Sequence, residues 1–167
     1  FPFGHGLGYT TWTLDDLRVA DDGGAVSVRA TNTGAREGST AVQVYVRATG
    51  SPVPRPDIEL AGFARVHAGA GESVEVAIEL ERRVFSVWDS ASRRWAVDGG
   101  VYDVLVGNSS VDIGATSTVT ITSPDVVTPV AATAGPVATD TEFARLLGGR
   151  VPPAEGTRPF TRISTIS

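Results

Sequence analysis

The sequence predicts an all-β domain, an antiparallel sandwich of about seven strands. Three observations predict it: apolar residues alternate with polar ones, turn signals recur at roughly ten-residue intervals, and no helical period lies among them. Asp21-Asp-Gly-Gly24 is a turn signal, and residues 25–31 follow with Val26, Val28 and Ala30 set against Ser27, Arg29 and Thr31. A period of two puts the valines on one face and the polar side chains on the other. Asn32-Thr-Gly34 then reverses the chain. Residues 40–47 repeat the alternation, with Val42, Val44 and Val46 expected inward and Gln43 outward. The clearest strand covers residues 74–80, where Val74, Val76, Ile78 and Leu80 alternate with Glu75 and Glu79.

Residues 101–107 are apolar on both faces, as a central strand requires, and residues 117–122 are rich in strand-favouring threonine and valine. Residues 60–67 form a weaker strand, because Gly62 interrupts it. Residues 85–88 and 94–97 flank a polar turn and predict a small hairpin. In Gly99-Gly-Val-Tyr-Asp-Val104, Tyr102 follows a turn and precedes an inward valine by two residues. That placement predicts a tyrosine corner, with the hydroxyl bonded to upstream backbone.

Composition bounds the function. The chain has 167 residues, 41% of them hydrophobic, and a formal charge of −5. The acidic balance argues against nucleic acid and anionic membranes as partners, since both need a basic patch. All 14 basic residues are arginine, which with abundant Ala, Gly and Val fits a GC-rich coding bias. Without cysteine there are no disulfides or thiolate metal sites, and the redox compartment stays open. No apolar run has bilayer-spanning length.

The opening Phe1-Pro-Phe-Gly-His-Gly-Leu-Gly-Tyr-Thr-Thr-Trp12 is the most specific stretch. Gly4, Gly6 and Gly8 permit unusual backbone conformations, while Phe1, Phe3 and Tyr9 are expected to anchor the loop on apolar surface. There is no methionine, so the chain is expected to be a piece of a longer polypeptide. This segment resembles the Phe-Pro-Phe-Gly-x-Gly-Leu-Ser-Tyr-Thr-x-Phe signature of glycoside hydrolase family 3, the β-glucosidase family. Gly8 stands where serine is usual and Trp12 where phenylalanine is usual. Glu59-Leu-Ala-Gly-Phe-Ala-Arg-Val66, Gly71-Glu-Ser73, Phe85-Ser-Val-Trp-Asp89 and Gly100-Val-Tyr-Asp-Val-Leu-Val-Gly-Asn-Ser-Ser110 occur in the order of that family's domain.

The resemblance implies an immunoglobulin/fibronectin type III-like sandwich at residues 12–123. It also implies a linker at 1–11 leading from an α/β domain, and a bacterial β-glucosidase-like parent. The family's nucleophile and acid/base residue belong to other domains, so the resemblance assigns no catalytic residue here. The expected role is a non-catalytic accessory domain whose partners are the parent's catalytic domains.

Residues 124–167 read as a Pro/Ala/Thr-rich tail. Within it Thr139-Asp-Thr-Glu142 is a capping box that opens a short helix over 140–147, stopped by Gly148-Gly149. Phe143, Leu146 and Leu147 share one side of that helix, which is too short to hold alone and is expected to dock. The motifs at 143–148, 151–153 and 158–162 resemble an extension of bacterial family members.

Candidate sites are few. Trp88 and Trp95 are the candidate sugar-stacking platform of an alternative reading, a carbohydrate-binding module; packing at the sandwich edge competes with it. A third reading is a protein-adhesion domain of the same fold, against which the glycine-rich opening counts. His5 is a candidate ligand contact, with a backbone hydrogen bond in a tight turn as the plainer role; His67 is expected in an exposed turn. The loop Ser51-Pro-Val-Pro-Arg-Pro56 is expected to reach a neighbouring domain, with Arg55 as its charged contact. Asp15-Asp16 and Asp21-Asp22 lack the calcium-loop pattern, so neither metal nor cofactor is expected. Gly4-x-Gly-x-Gly8 lacks the strand, helix and lysine of a phosphate cradle. Asn108-Ser-Ser110 fits a glycosylation pattern that is common by chance.

Overall fold

A computed structural model describes residues 1–129 and 139–150. The chain divides into two units, Phe1–Ala131 and Ala132–Ser167. Unit one holds nine strands: β1 (Trp12–Val19), β2 (Ala25–Asn32), β3 (Gly38–Thr49), β4 (Glu59–Ala68), β5 (Ser73–Glu79), β6 (Ser86–Asp89), β7 (Arg94–Val97), β8 (Gly100–Gly107) and β9 (Ile113–Ile121). Seven of them make two antiparallel sheets, ordered β1-β2-β5 and β4-β3-β8-β9, and β6-β7 is a separate hairpin. The expected all-β sandwich is therefore the fold found.

The core lies between the sheets, where the period of two delivers Val26 and Val28 from β2, Val42, Val44 and Val46 from β3, and Val104 and Val106 from β8. Burying one such valine contributes roughly 1.5–3 kcal/mol. Phe85 and Tyr102 close one end, their rings edge to face at 5.0 Å.

Three local features depart from the alternation. β1 has no uniform alternation because it is bulged between Asp15 and Arg18, with Asp16 at φ 53°. Trp12 and Leu14 before the bulge, Leu17 within it and Val19 after it all pack on the core. The strand at 60–67 is longer than expected, and Gly62 is what lets it pack. A Cβ there would meet Ile78 Cγ2 of β5 and Leu80 Cδ2 just past its end, each at 3.0 Å. Gln43 does leave the core on the outer side of β3, yet it is buried, for the reason given below.

In the second unit α1 (Asp140–Leu147) begins with the capping box. Thr139 Oγ1 accepts from the Glu142 N–H at 3.3 Å, and Glu142 Oε2 accepts from the Thr139 N–H at 2.8 Å. The bond from the Thr139 backbone N–H, joined by that from its hydroxyl, holds the Glu142 carboxyl below its ordinary range. Gly148, left-handed at φ 64°, ends the helix. Phe143, Leu146 and Leu147 are exposed. Residues 130–138 and 151–167, which carry most of the expected tail, lie outside the described residues.

Candidate interdomain surface

The opening segment is tied down at two places. Thr10 is the inner one: its hydroxyl donates to Asn32 Oδ1, and its side chain fills the space a Cβ would need at Gly34 and Gly38. Asn32 is fully buried and its Nδ2 donates to the carbonyls of Arg36 at 2.7 Å and Ala68 at 3.0 Å. Its Oδ1 also accepts from the Gly34 N–H at 3.1 Å. A buried amide satisfied on both sides joins the end of β2, the end of β4 and the entering chain. Sequence reading saw only a turn at 32–34; the Asx-type residue before glycine was the available signal.

The outer tie is at Phe3, whose carbonyl accepts from the Ser110 N–H at 3.0 Å. Gly4, at φ 76°, lays its backbone on the Gln43 amide so closely that a Cβ would stand 2.2 Å from Oε1. That contact covers Gln43, which donates from Nε2 to the Asn108 carbonyl at 2.7 Å and accepts from the Tyr45 hydroxyl. Burial pushes the Tyr45 phenol up from its ordinary value.

The apolar side chains of this segment stand in the open. Phe3 is 64% exposed, Leu7 98% and Tyr9 95%, and Phe1 is fully exposed. The expected apolar surface beneath Phe1, Phe3 and Tyr9 is thus missing among the described residues. His5 makes a turn, its N–H donating to the Pro2 carbonyl at 3.2 Å, and its ring stacks on Phe1 at 5.4 Å.

Arg55 corrects an expectation. It does not reach outward: its side chain is 6% exposed and turned into the domain. Nε and Nη2 donate to Glu59 Oε1 at 3.1 Å and Oε2 at 2.7 Å. Nη1 donates to the Tyr102 hydroxyl at 3.0 Å and stands 3.7 Å from the buried Asp98 carboxylate, while Nη2 also reaches the Val84 carbonyl at 3.1 Å. Burial alone would lower the guanidinium pKa, but Glu59, Tyr102 and Asp98 together raise it. Tyr102 in turn donates to the Asp98 carbonyl at 2.7 Å, closing a loop of four residues onto upstream backbone. Burial, the largest influence, pushes its phenol up to about 12, against the opposing charge of Arg55. Ser51 donates to Asp98 Oδ2 at 2.6 Å, so both ends of the Pro-rich loop are fastened inward. Glu59 and Asp98 were missed because nothing in their spacing from Arg55 marks them.

Trp88 and Trp95 are register partners on the β6-β7 hairpin, 53% and 48% exposed. Their rings meet edge to face at 5.8 Å and 74°, and the Arg83 guanidinium lies 4.3 Å over Trp95. This cross-strand pair supports a hairpin of four-residue strands. Two planes so steeply inclined do not make one flat stacking platform. The hairpin is also fastened by Asp125, which accepts from the Val97 N–H at 2.8 Å and from Arg94 at 2.9 Å. Those two bonds, in that order, hold its carboxyl below the usual range. The Asp89 carboxyl is lowered chiefly by the Ser92 hydroxyl.

The remaining candidates have local partners. Asp16 pairs with Arg29 and Arg18, and Asp22 Oδ1 accepts from the Gly24 N–H at 2.8 Å. Among the described residues no group of three or more His, Asp or Glu could hold a metal ion. His67 lies within β4, not in a turn, exposed and bonded to Ser39 at 3.1 Å. Asn108 donates from Nδ2 to Asp112 at 3.1 Å.

Two packed antiparallel sheets, a tyrosine corner and an entering strap of aromatic residues define a fibronectin-type sandwich module. The profile described as Fibronectin type III-like domain matches residues 40–110. The chain carries that domain in the form found in glycoside hydrolase family 3 β-glucosidases. It is 48% identical over 117 residues to a β-glucosidase of Kluyveromyces marxianus, covering 68% of this chain and 14% of that protein. It is 40% identical over 123 residues to an exo-α-(1→6)-L-arabinopyranosidase of Bifidobacterium breve, covering 72% and 16% respectively. The solved structure of a Bifidobacterium adolescentis GH3 β-glucosidase superposes with a TM-score of 0.72 at 37% identity, over 86% of this chain and 21% of that one. The chain therefore spans about one-seventh of the curated relatives it matches. They include a yeast protein, so similarity does not mark the chain as bacterial.

Proposed function

We propose that this chain is the C-terminal, non-catalytic accessory domain of a β-glucosidase-like glycosidase, and that its work is to pack against the enzyme's catalytic domains. The observation that carries the reading is the opening segment: held at Thr10 and Phe3, it presents Phe1, Phe3, Leu7 and Tyr9 uncovered. Apolar side chains displayed together in this way mark an interaction surface. Retaining glycoside hydrolysis needs two carboxyls about 5–5.5 Å apart across the scissile bond. Here the carboxylates that the fold gathers are engaged by arginines, as in Asp16–Arg29, Glu59–Arg55 and Asp125–Arg94. The similarity to β-glucosidases and to an arabinopyranosidase supports a glycosidase parent without choosing its substrate. The test is the full-length polypeptide against a version ending before Trp12. Loss of thermal stability on truncation, together with an inactive 167-residue chain, is the expected result. Turnover of an aryl glucoside by the 167-residue chain would refute it. So would saturable binding of cello-oligosaccharides lost in Trp88→Ala.

A further inference from the structure

The outer face of the β4-β3-β8-β9 sheet has an apolar row that stops short of its own edge. Leu60 of β4 pairs with Tyr45 of β3, which pairs with Leu105 of β8. Tyr45 and Leu105 are 2% and 6% exposed, but Leu60 is 41% exposed. On the neighbouring row Phe63 is the register partner of Gln43 and is 69% exposed. Gln43 is the residue on which Gly4 rests, and Phe3 is bonded to Ser110 beyond the end of β8. The opening segment thus covers the β8 side of this face, and Phe63 with Leu60 is the uncovered β4 side of the same surface.

We infer that Phe63 and Leu60 form the second half of the interdomain surface, occupied by the catalytic body that the proposed function places ahead of Phe1. The inference rests on that reading. Three features select this occupant. The chain comes onto the domain at this face, so a body tethered at Phe1 is held beside Phe63 at high effective concentration. The matched relatives have room for such a body, since the chain spans only 14% of the Kluyveromyces marxianus protein. Interfaces between domains of one chain bury about 600–1,500 Å², and large aromatics dominate such contacts. Phe63 is the most exposed large apolar side chain on any strand of the sandwich.

The chain has no cysteine, which makes thiol labelling a direct test. Phe63→Cys, Leu60→Cys, Leu7→Cys and Ser90→Cys are made in the 167-residue chain and in the full-length polypeptide. Maleimide incorporation at each position is followed by peptide mass. Positions 63 and 60 are expected to label about tenfold or more slowly in the full-length polypeptide, as a buried interface position should. Position 7 is expected to slow likewise, and position 90, at the hairpin tip, to label equally in both. Fast labelling at 63 and 60 with slow labelling at 7 overturns this inference and leaves the proposed function standing. Fast labelling at all three overturns both. Slow, concentration-dependent labelling at 63 in the 167-residue chain assigns the face to a second copy and also overturns it.

Discussion

Residues 1–9 and the loop at 51–56 have opposite chemistry and opposite fates. The first carries Phe1, Phe3, Leu7 and Tyr9, which nothing in the described chain covers; the second carries Arg55, almost wholly buried. A guanidinium can be buried when its donors find acceptors, and here two Glu59 oxygens, the Tyr102 hydroxyl and the Val84 carbonyl supply them. An aromatic ring needs area, and Phe1 and Tyr9 of the strap stand exposed on their own domain. Polarity therefore does not decide which segment faces a partner. What decides is whether the domain can satisfy the side chain by itself.

The sharpest way to break this contrast is Arg55→Met. Removing one partner from a buried ionic cluster costs about 3–5 kcal/mol, so the urea midpoint of the 167-residue chain should collapse. A loss below about 1 kcal/mol would mean that the loop is not fastened through Arg55. Next is Tyr102→Phe, which removes donations to Asp98 and leaves an Arg55 N–H unpaired, for about 1–3 kcal/mol. The wild-type phenol is raised from 10.0 to about 12. Its neutral form is the one the fold favours, so the associated stability is complete below pH 10 and lost as pH rises towards 12. Tyrosinate absorbance followed alongside unfolding checks that window, and Tyr102→Phe should abolish this component. Thr10→Val, which keeps shape and removes the bond to Asn32, should cost about 1 kcal/mol. Smallest of all, Leu7→Ser with Tyr9→Ser should change the stability of the 167-residue chain by no more than about 0.5 kcal/mol. A larger loss would show that the strap packs on its own domain.

The strands with uninterrupted alternation were legible in the sequence, residues 74–80 above all, and so were the capping box at Thr139 and the hairpin around Trp88 and Trp95. β1 was not separately legible because its bulge at Asp16 and Leu17 shifts the phase, placing Trp12 and Leu14 in one register and Val19 in the next. β4 looked weak because Gly62 reads as a breaker, whereas the opposing Ile78 and Leu80 need the absence of a side chain there. The polar cluster around Arg55 was hidden for a different reason. Tyr102 was marked by its corner, but Asp98 and Tyr102 meet Arg55 only through tertiary packing. Glu59, four residues on, lies on no helix that would make that spacing a contact. Gln43 does face outward from β3 as expected, and what the sequence did not mark is the Gly4 backbone laid over it.

Hydrogen–deuterium exchange over residues 1–10 tests the central claim most directly, compared between the 167-residue chain and the full-length polypeptide. Docking of the strap on the catalytic body predicts fast exchange of the Gly6, Leu7, Gly8 and Tyr9 amides in the first and strong protection in the second. Equally fast exchange in both would contradict it.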